Sequence, residues 1–252
     1  MFVTNWISTT KIQKISEITN FFRHYFLSRT EVAKELPVYV GKKVDINEIH
    51  KGSIEFQKGV EIRKGMVSLG ICLHPMISNK GLTTLLRITQ YGKLILGADI
   101  KIYSGCSIIV TYEGVLNIGN DFLMNQKSRL YCANSVNIEN HVRIGWETQI
   151  YDSNFHFTYD GVNNLIGNAL GSVRLGNNVW IGNRCTIAKG ALLPDYTIIG
   201  SNSLVSKKLE NDFGGGHLGR YACPLEERRI LSNIRQQNTS RTIFIFSERR
   251  SA

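Results

Sequence analysis

Long apolar runs are missing from this chain: no stretch approaches the roughly 18 uncharged apolar residues of a membrane span. The N-terminus also has neither the continuous apolar block nor the small-residue cleavage site of a signal peptide, so the mature protein is expected in the cytosol. Paired cysteines are missing too. The five present (Cys72, Cys106, Cys132, Cys185 and Cys223) are far apart, odd in number and without a C-x-x-C, which argues against a disulfide framework or a zinc knuckle and predicts reduced, mostly buried thiols. Zinc-finger spacing, RRM aromatics and a basic-region helix are likewise absent. The net charge of +10 would draw anions in general, but no specific nucleic-acid partner is expected. What remains is 252 residues with 42% hydrophobic content, enough for one large domain or two small ones with a real core.

That apolar content is periodic. From Leu175 the chain reads LGNNVW, IGNRCT, IAKGAL, LPDYTI, IGSNSL, VSKKLE, with an aliphatic residue at 175, 181, 187, 193, 199 and 205. The same step of six recurs upstream in Leu96, Ile102, Ile108, then Ile118, Met124, Leu130, then Ile138, Ile144, Ile150, with fainter echoes at Val40, Ile46, Ile54 and Leu69. Neither a strand period of two nor a helix period of 3.6 holds phase in this way. One inward aliphatic per flat segment, followed by a turn, describes stacked coils that bury an aliphatic column. Phase slips between the blocks predict loops or bulges at coil corners.

This pattern resembles the hexapeptide-repeat family, and the resemblance implies a mainly β protein: a left-handed parallel β-helix with triangular coils of three hexapeptides. Residues 37–210 are assigned to that domain, with a loop at 151–174. Residues 1–36 form an N-terminal segment in which KIQKISEITNFFRHYFLSRT spaces Ile12, Ile15, Ile18, Phe22, Tyr25 and Phe26 as one face of an amphipathic helix. That helix is expected to cap the coil, with contact at the inner membrane surface as the alternative. A C-terminal extension, 211–252, holds a short helix in EERRILSNIRQQ and an isolated strand in RTIFIFS.

Residues 151–174 interrupt the repeat and contain Asp152, Asn154, His156, Asp160, Asn163 and Asn164. So long a loop in a tightly periodic chain usually carries function. LGNNVWIGNRCTIAKG resembles the signature of sugar and polysaccharide O-acetyltransferases within the hexapeptide family. VRIGWETQIYDSNFH resembles the segment bearing their catalytic histidine, usually Asp-x-Asp-x-His, with Asn154 in place of the second acid. The resemblance implies that His156 is a general base, taking the proton of a sugar hydroxyl as it attacks the thioester of acetyl-CoA, a task suited to a neutral imidazole. Asp152 and Glu147 are the nearest acids that could orient the ring. Asn125 falls where related galactoside and maltose acetyltransferases contact the acceptor. Trp146 offers an aromatic face to a pyranose, and Asn154 is grouped with them.

For acetyl-CoA, the resemblance implies a groove between coils with Trp180, Gly182 and Asn183 near the thioester and Ser201 further along. Ser206 and Lys207 match a late Thr-Lys pair that would meet the nucleotide phosphates, with Lys208 adding charge. Arg229, five residues past Pro224, matches an adenosine-contacting arginine, although HLGRYACPLE departs from the family's G-N-P-A stretch. Relatives are homotrimers with active sites between subunits. The expected function is therefore acetyl-CoA-dependent O-acetylation of a carbohydrate acceptor, free or lipid-linked, in surface polysaccharide (capsule, O-antigen or exopolysaccharide) assembly, without a metal. N-acetylation of an amino sugar or nucleotide sugar is the alternative. A zinc carbonic-anhydrase-like reading stands in another class, and it would need a third histidine beside His141 and His156. A coil kept only as an assembly scaffold is a further one.

Overall fold

A computed structural model of the chain describes residues 35, 37–41, 43–50, 52–71, 81–89, 91–209 and 243–245. The N-terminal amphipathic segment, the C-terminal helix and Arg229 lie outside them. Three parallel sheets form the faces of a prism. Face A stacks β1 (Val38–Val40), β4 (Val67–Ile71), β7 (Ile100–Tyr103), β10 (Leu123–Met124), β13 (Arg143–Ile144), β18 (Trp180–Ile181), β21 (Thr197–Ile199) and β23 (Ile243–Ile245). Face B stacks β2 (Val44–Asn47), β5 (Thr84–Ile88), β8 (Ser107–Val110), β11 (Arg129–Cys132), β14 (Gln149–Tyr151), β19 (Thr186–Ile187) and β22 (Leu204–Val205). Face C stacks β3 (Ile54–Phe56), β6 (Lys93–Leu96), β9 (Val115–Ile118), β12 (Ser135–Ile138), β17 (Val173–Leu175) and β20 (Leu192–Leu193). Each strand pairs with the one a full coil away, which makes the fold a left-handed parallel β-helix.

The step of six becomes three interior columns. Ile102, Met124, Ile144, Ile181 and Ile199 stand in register on face A; Ile108, Leu130, Ile150, Ile187 and Val205 on face B; Leu96, Ile118, Ile138, Leu175 and Leu193 on face C. All are buried in one continuous core. At about 1.5–3 kcal/mol for each fully buried aliphatic side chain, these columns dominate the stability. The faint upstream echoes belong to the same coil, whose first described strand starts at Val38, with Ile54 and Leu69 at 5% exposure. The RTIFIFS strand is not isolated: β23 pairs in parallel with β21 at the end of face A. Cys106, Cys132 and Cys185 are free and buried, and burial pushes all three thiols up, Cys106 to about 12.

The corners differ in kind. Between faces C and A, three successive coils place an asparagine whose side-chain oxygen accepts a backbone N–H from the coil before. Asn120 Oδ1 accepts from Ala98 at 2.8 Å, Asn140 from Asn120 at 2.8 Å, Asn177 from Asn140 at 3.2 Å, and Asp195 ends the ladder by accepting from Asn177 at 2.8 Å. Between faces A and B, buried hydroxyls and thiols cap carbonyls of the next coil: Ser128 Oγ donates to Gly145 at 2.7 Å, Thr148 Oγ1 to Gly182 at 2.9 Å, and Cys185 Sγ to Gly200 at 3.0 Å. Gly145 is required there, since a Cβ would meet the Asn183 amide and the Gly182 carbonyl carbon at 2.5 Å. Between faces B and C the turns close within their own coil, as in Gly92 N–H to Thr89 O at 3.0 Å and Gly114 N–H to Thr111 O at 2.9 Å, and also between coils, as in Tyr112 N–H to Thr89 Oγ1 at 3.0 Å.

Candidate active site

The interruption at 151–174 leaves the coil at this third corner, between β14 and β17. Its base is firmly held. The Asp152 carboxylate is fully buried and accepts the backbone N–H of Ala133 on one oxygen and of Asn134 on the other, both at 2.8 Å. Such charge-assisted bonds are among the stronger ones a buried group makes. Ser153 and Leu170 form an antiparallel bridge, flanked by Asn154 N–H to Ala169 O at 2.8 Å and Gly171 N–H to Asp152 O at 2.9 Å. On the return side, the Lys189 ammonium donates to the Asn168 carbonyl.

Beyond this neck the chain projects as an arm. Phe155 has φ +64° and donates its N–H to Ser153 Oγ at 2.9 Å. Its ring lies 4.7 Å from Tyr131 and 6.1 Å from Tyr151, centroid to centroid. Those tyrosines are register partners on the outside of face B. His156 follows, exposed, with no hydrogen-bond partner among the described residues. An antiparallel hairpin of β15 (Thr158–Asp160) and β16 (Leu165–Gly167) completes the arm, its end pinned by Tyr159 O–H donating to Asn164 Oδ1 at 2.6 Å. Phe157, Tyr159, Val162, Leu165 and Ile166 on it are all at least 61% exposed. The sequence reading described a loop here. The alternation of Phe157 and Tyr159 before a turn-prone Gly161–Asn164 was the signal for a hairpin.

The other candidates divide between two edges of the prism. On the edge between A and B lie Asn125, Trp146, Glu147, Gly182, Asn183 and Ser201, one coil above another. Asn125 gives its carbonyl to Cys106 Sγ at 3.0 Å and its N–H to Ile144 O at 3.0 Å. Ser201 Oγ donates to Asn183 Oδ1. Glu147 pairs with Arg184 at 2.8 Å and Lys127 at 3.7 Å, and the hydrogen bond from Arg184 leads in holding its carboxyl below the ordinary value. Trp180 starts β18 on face A, 54% exposed. On the edge between B and C lie Asp152, Asn154 and His156, with exposed Ser206 and Lys207 following β22; Lys208 turns from there to pair with Leu192.

One face separates the two groups. From Thr148 to Asp152 is four residue steps, about 13 Å at 3.3 Å per residue. Within a single chain, therefore, His156 is not brought to Asn183 and Ser201. Nor is His156 beside His141, which sits on the third edge. There His141 Nδ1 donates to Asp121 at 2.9 Å, and Arg143 Nη2 donates to the same oxygen at 2.6 Å. Partial burial pushes the Asp121 carboxyl up, but the bonds from His141 and Arg143 outweigh it and leave it below its usual range. Among the described residues no group of three or more His, Cys, Asp or Glu side chains converges as a metal site would.

The Asp152 cradle, the Tyr131–Phe155–Tyr151 stack and the Asp121–His141–Arg143 cluster were not singled out from sequence. Apart from Tyr151 and Phe155, the partners that meet across coils are 18 to 24 positions apart, and finding them requires the coil length, which varies.

No family model matches this chain, and no curated protein matches it. Among solved structures it is similar to a mutant of AntD, an N-acyltransferase from Bacillus cereus, in complex with dTDP and coenzyme A, at 12% identity over 92% of this chain and 99% of that chain, with a TM-score of 0.35. A second mutant of the same protein, in complex with dTDP-4-amino-4,6-dideoxyglucose and coenzyme A, is similar at 15% identity over 80% of this chain and 89% of that one, also with a TM-score of 0.35.

Proposed function

We propose that the protein is an acyltransferase that moves an acetyl group from acetyl-CoA to a carbohydrate hydroxyl, with His156 as general base. The observation that carries this reading is the arm at the corner between faces B and C. Its neck is fixed by Asp152, Ser153 and Asn154, and His156 is the first exposed polar side chain beyond it. VRIGWETQIYDSNFH and LGNNVWIGNRCTIAKG, which resemble the O-acetyltransferase signature, supply the class of chemistry. In the reaction, a sugar hydroxyl loses its proton to the His156 imidazole while its oxygen attacks the thioester carbonyl. Collapse of the tetrahedral intermediate breaks the C–S bond, and the imidazolium returns the proton to the departing thiolate. Asp152 serves by holding the neck, since both carboxylate oxygens are engaged by Ala133 and Asn134.

Two edges of one chain supply different parts, and this supports a homotrimer in which the His156 arm of one subunit faces the Asn183–Ser201 edge of a neighbour. Small groups there, half-buried Gly182 and Asn183 and exposed Ser201, leave room for a pantetheine arm, while Ser206, Lys207 and Lys208 offer a hydroxyl and two ammonium groups to phosphates. Surface polysaccharide assembly, with a free or lipid-linked acceptor, is the context we infer from the signature.

The test is thiol release from acetyl-CoA by wild type and His156→Ala against sugars, amino sugars, sugar nucleotides and lipid-linked glycans. Acceptor-dependent release that disappears in the variant while coenzyme A still binds is the expected result. Turnover retained in His156→Ala would overturn the assignment, and turnover only with amino sugars would move the reaction to nitrogen.

A further inference from the structure

Fourteen non-glycine residues have a left-handed backbone among the described residues, and most stand at coil corners, where the turn imposes it. Two lie on the arm. Asn164 closes the hairpin, a position asparagine tolerates. Phe155, at φ +64°, is a bulky aromatic at no regular corner, and it immediately precedes His156. A strained residue of this kind persists only where its surroundings over-determine it.

Those surroundings are specific. The Phe155 N–H is taken by Ser153 Oγ at 2.9 Å, and Ser153 itself is nearly buried, at 4% exposure. The Phe155 ring folds back onto face B against Tyr131 at 4.7 Å and 55°, and Tyr151 at 6.1 Å and 43°, tilted arrangements that aromatic quadrupoles favour. Tyr131 is tied in turn, its hydroxyl accepting from Thr111 Oγ1 at 3.1 Å. The ring, on a residue 63% exposed, thus ties the backbone at position 155 to the rigid coil, and His156, just past the left-handed turn, stands exposed. We propose that Phe155, stacked on Tyr131 and Tyr151, is a positioning residue that aims His156 out of the neck of the arm. This rests on the reading of His156 as general base. Proton transfer needs the imidazole within hydrogen-bond reach of the acceptor hydroxyl, and a displacement of about 1 Å is enough to slow such a step a hundredfold.

The experiment compares Phe155→Ala, Phe155→Gly and Phe155→Tyr with wild type and His156→Ala in the full-length protein. It measures steady-state kinetics, coenzyme A stoichiometry, melting temperature and the NMR signals of the 13C-labelled His156 ring. Phe155→Ala is expected to lower kcat at least tenfold, with KM for acetyl-CoA within twofold and full coenzyme A stoichiometry, and to broaden or shift the His156 ring signals. Phe155→Gly adopts the left-handed turn without strain yet lacks the ring, so it should behave similarly. Phe155→Tyr should restore both activity and ring signals. Wild-type kcat in the glycine variant, or unchanged His156 signals in the alanine variant, would overturn the proposal. So would a loss of activity matched by lost coenzyme A stoichiometry in all three variants, which marks a packing role alone. If His156→Ala is fully active while the ring signals still depend on Phe155, the base assignment has failed and the positioning stands.

Discussion

Two edges of the same prism obey different rules. From Ile102 onward the column residues of face A and face B are six apart: Ile102 to Ile108, Met124 to Leu130, Ile144 to Ile150, Ile181 to Ile187, Ile199 to Val205; in the coil before, Leu69 and Leu86, in register with Ile102 and Ile108, are seventeen apart. From face B to face C the spacing is ten between Ile108 and Ile118, eight between Leu130 and Ile138, twenty-five between Ile150 and Leu175, and six between Ile187 and Leu193. The first edge is sealed from coil to coil by Ser128, Thr148 and Cys185, whose buried hydrogens cap the carbonyls of the next turn. An extra residue in those three coils would strand those groups. The second edge combines turns closed internally, at Gly92 and Gly114, with bonds between coils at Tyr112 and Asp152, and the added chain there leaves the stacking ladders intact. Long insertions in such loops carry little closure penalty, and the His156 arm grows from an edge whose spacing varies from coil to coil.

The largest effect expected separates these edges by function. His156→Ala should reduce kcat by a factor of roughly 10² to 10⁴, the usual contribution of a general base. Because the side chain is exposed, the melting temperature should stay unchanged, and circular dichroism melts check that. Next comes the neck. Asp152→Ala removes the acceptors of the buried Ala133 N–H and the part-buried Asn134 N–H and is expected to cost about 1–3 kcal/mol of stability in urea unfolding, by the desolvation of the unpaired donor. Asp152→Asn, which keeps one carbonyl acceptor, should cost less. A loss below about 0.5 kcal/mol in the alanine variant would mean that the arm is not anchored as described.

Smaller effects sharpen the contrast. Asn177→Ala breaks the ladder at the corner between C and A and should cost about 1–3 kcal/mol, whereas replacing 157–168 by a short glycine-serine turn should cost under about 1 kcal/mol. Equal losses from the two would erase the distinction between sealed and permissive corners. The smallest prediction concerns pH. The folded-state pKa of Asp121 is depressed, so its bonds to His141 and Arg143 contribute stability above the carboxylate's unfolded value. That stability is lost as pH falls through the depressed one. With 44% of the side chain exposed, solvent screening limits this to a few tenths of a kcal/mol. Asp121→Asn should abolish that part of the acid dependence in urea melts followed between pH 6 and 3.

The fold was legible because every coil repeats one constraint, and Leu175 through Val205 state it without interruption. Reading the site was harder. His156 stood out through its place in the interruption and through the resemblance of its flanks. The task of Asp152 was hidden, because its partners Ala133 and Asn134 lie one coil away, across a corner of irregular length. Residue spacing shows that a phase slip exists without saying which edge absorbs it. The structure sends the slips from Ile108 onward to a single edge, and that edge carries the candidate base.

The most direct test of a site shared between edges is complementation. His156→Ala, inactivated on the edge between B and C, would be refolded or co-expressed in equal amounts with Ser201→Trp, blocked at an exposed position on the edge between A and B. If each site is built from the arm of one subunit and the opposite edge of its neighbour, two inactive variants should recover about a quarter of wild-type turnover, as random mixing in a cyclic assembly gives. Turnover no higher than that of the variants alone, in mixtures shown to contain both chains, would contradict a site formed between subunits.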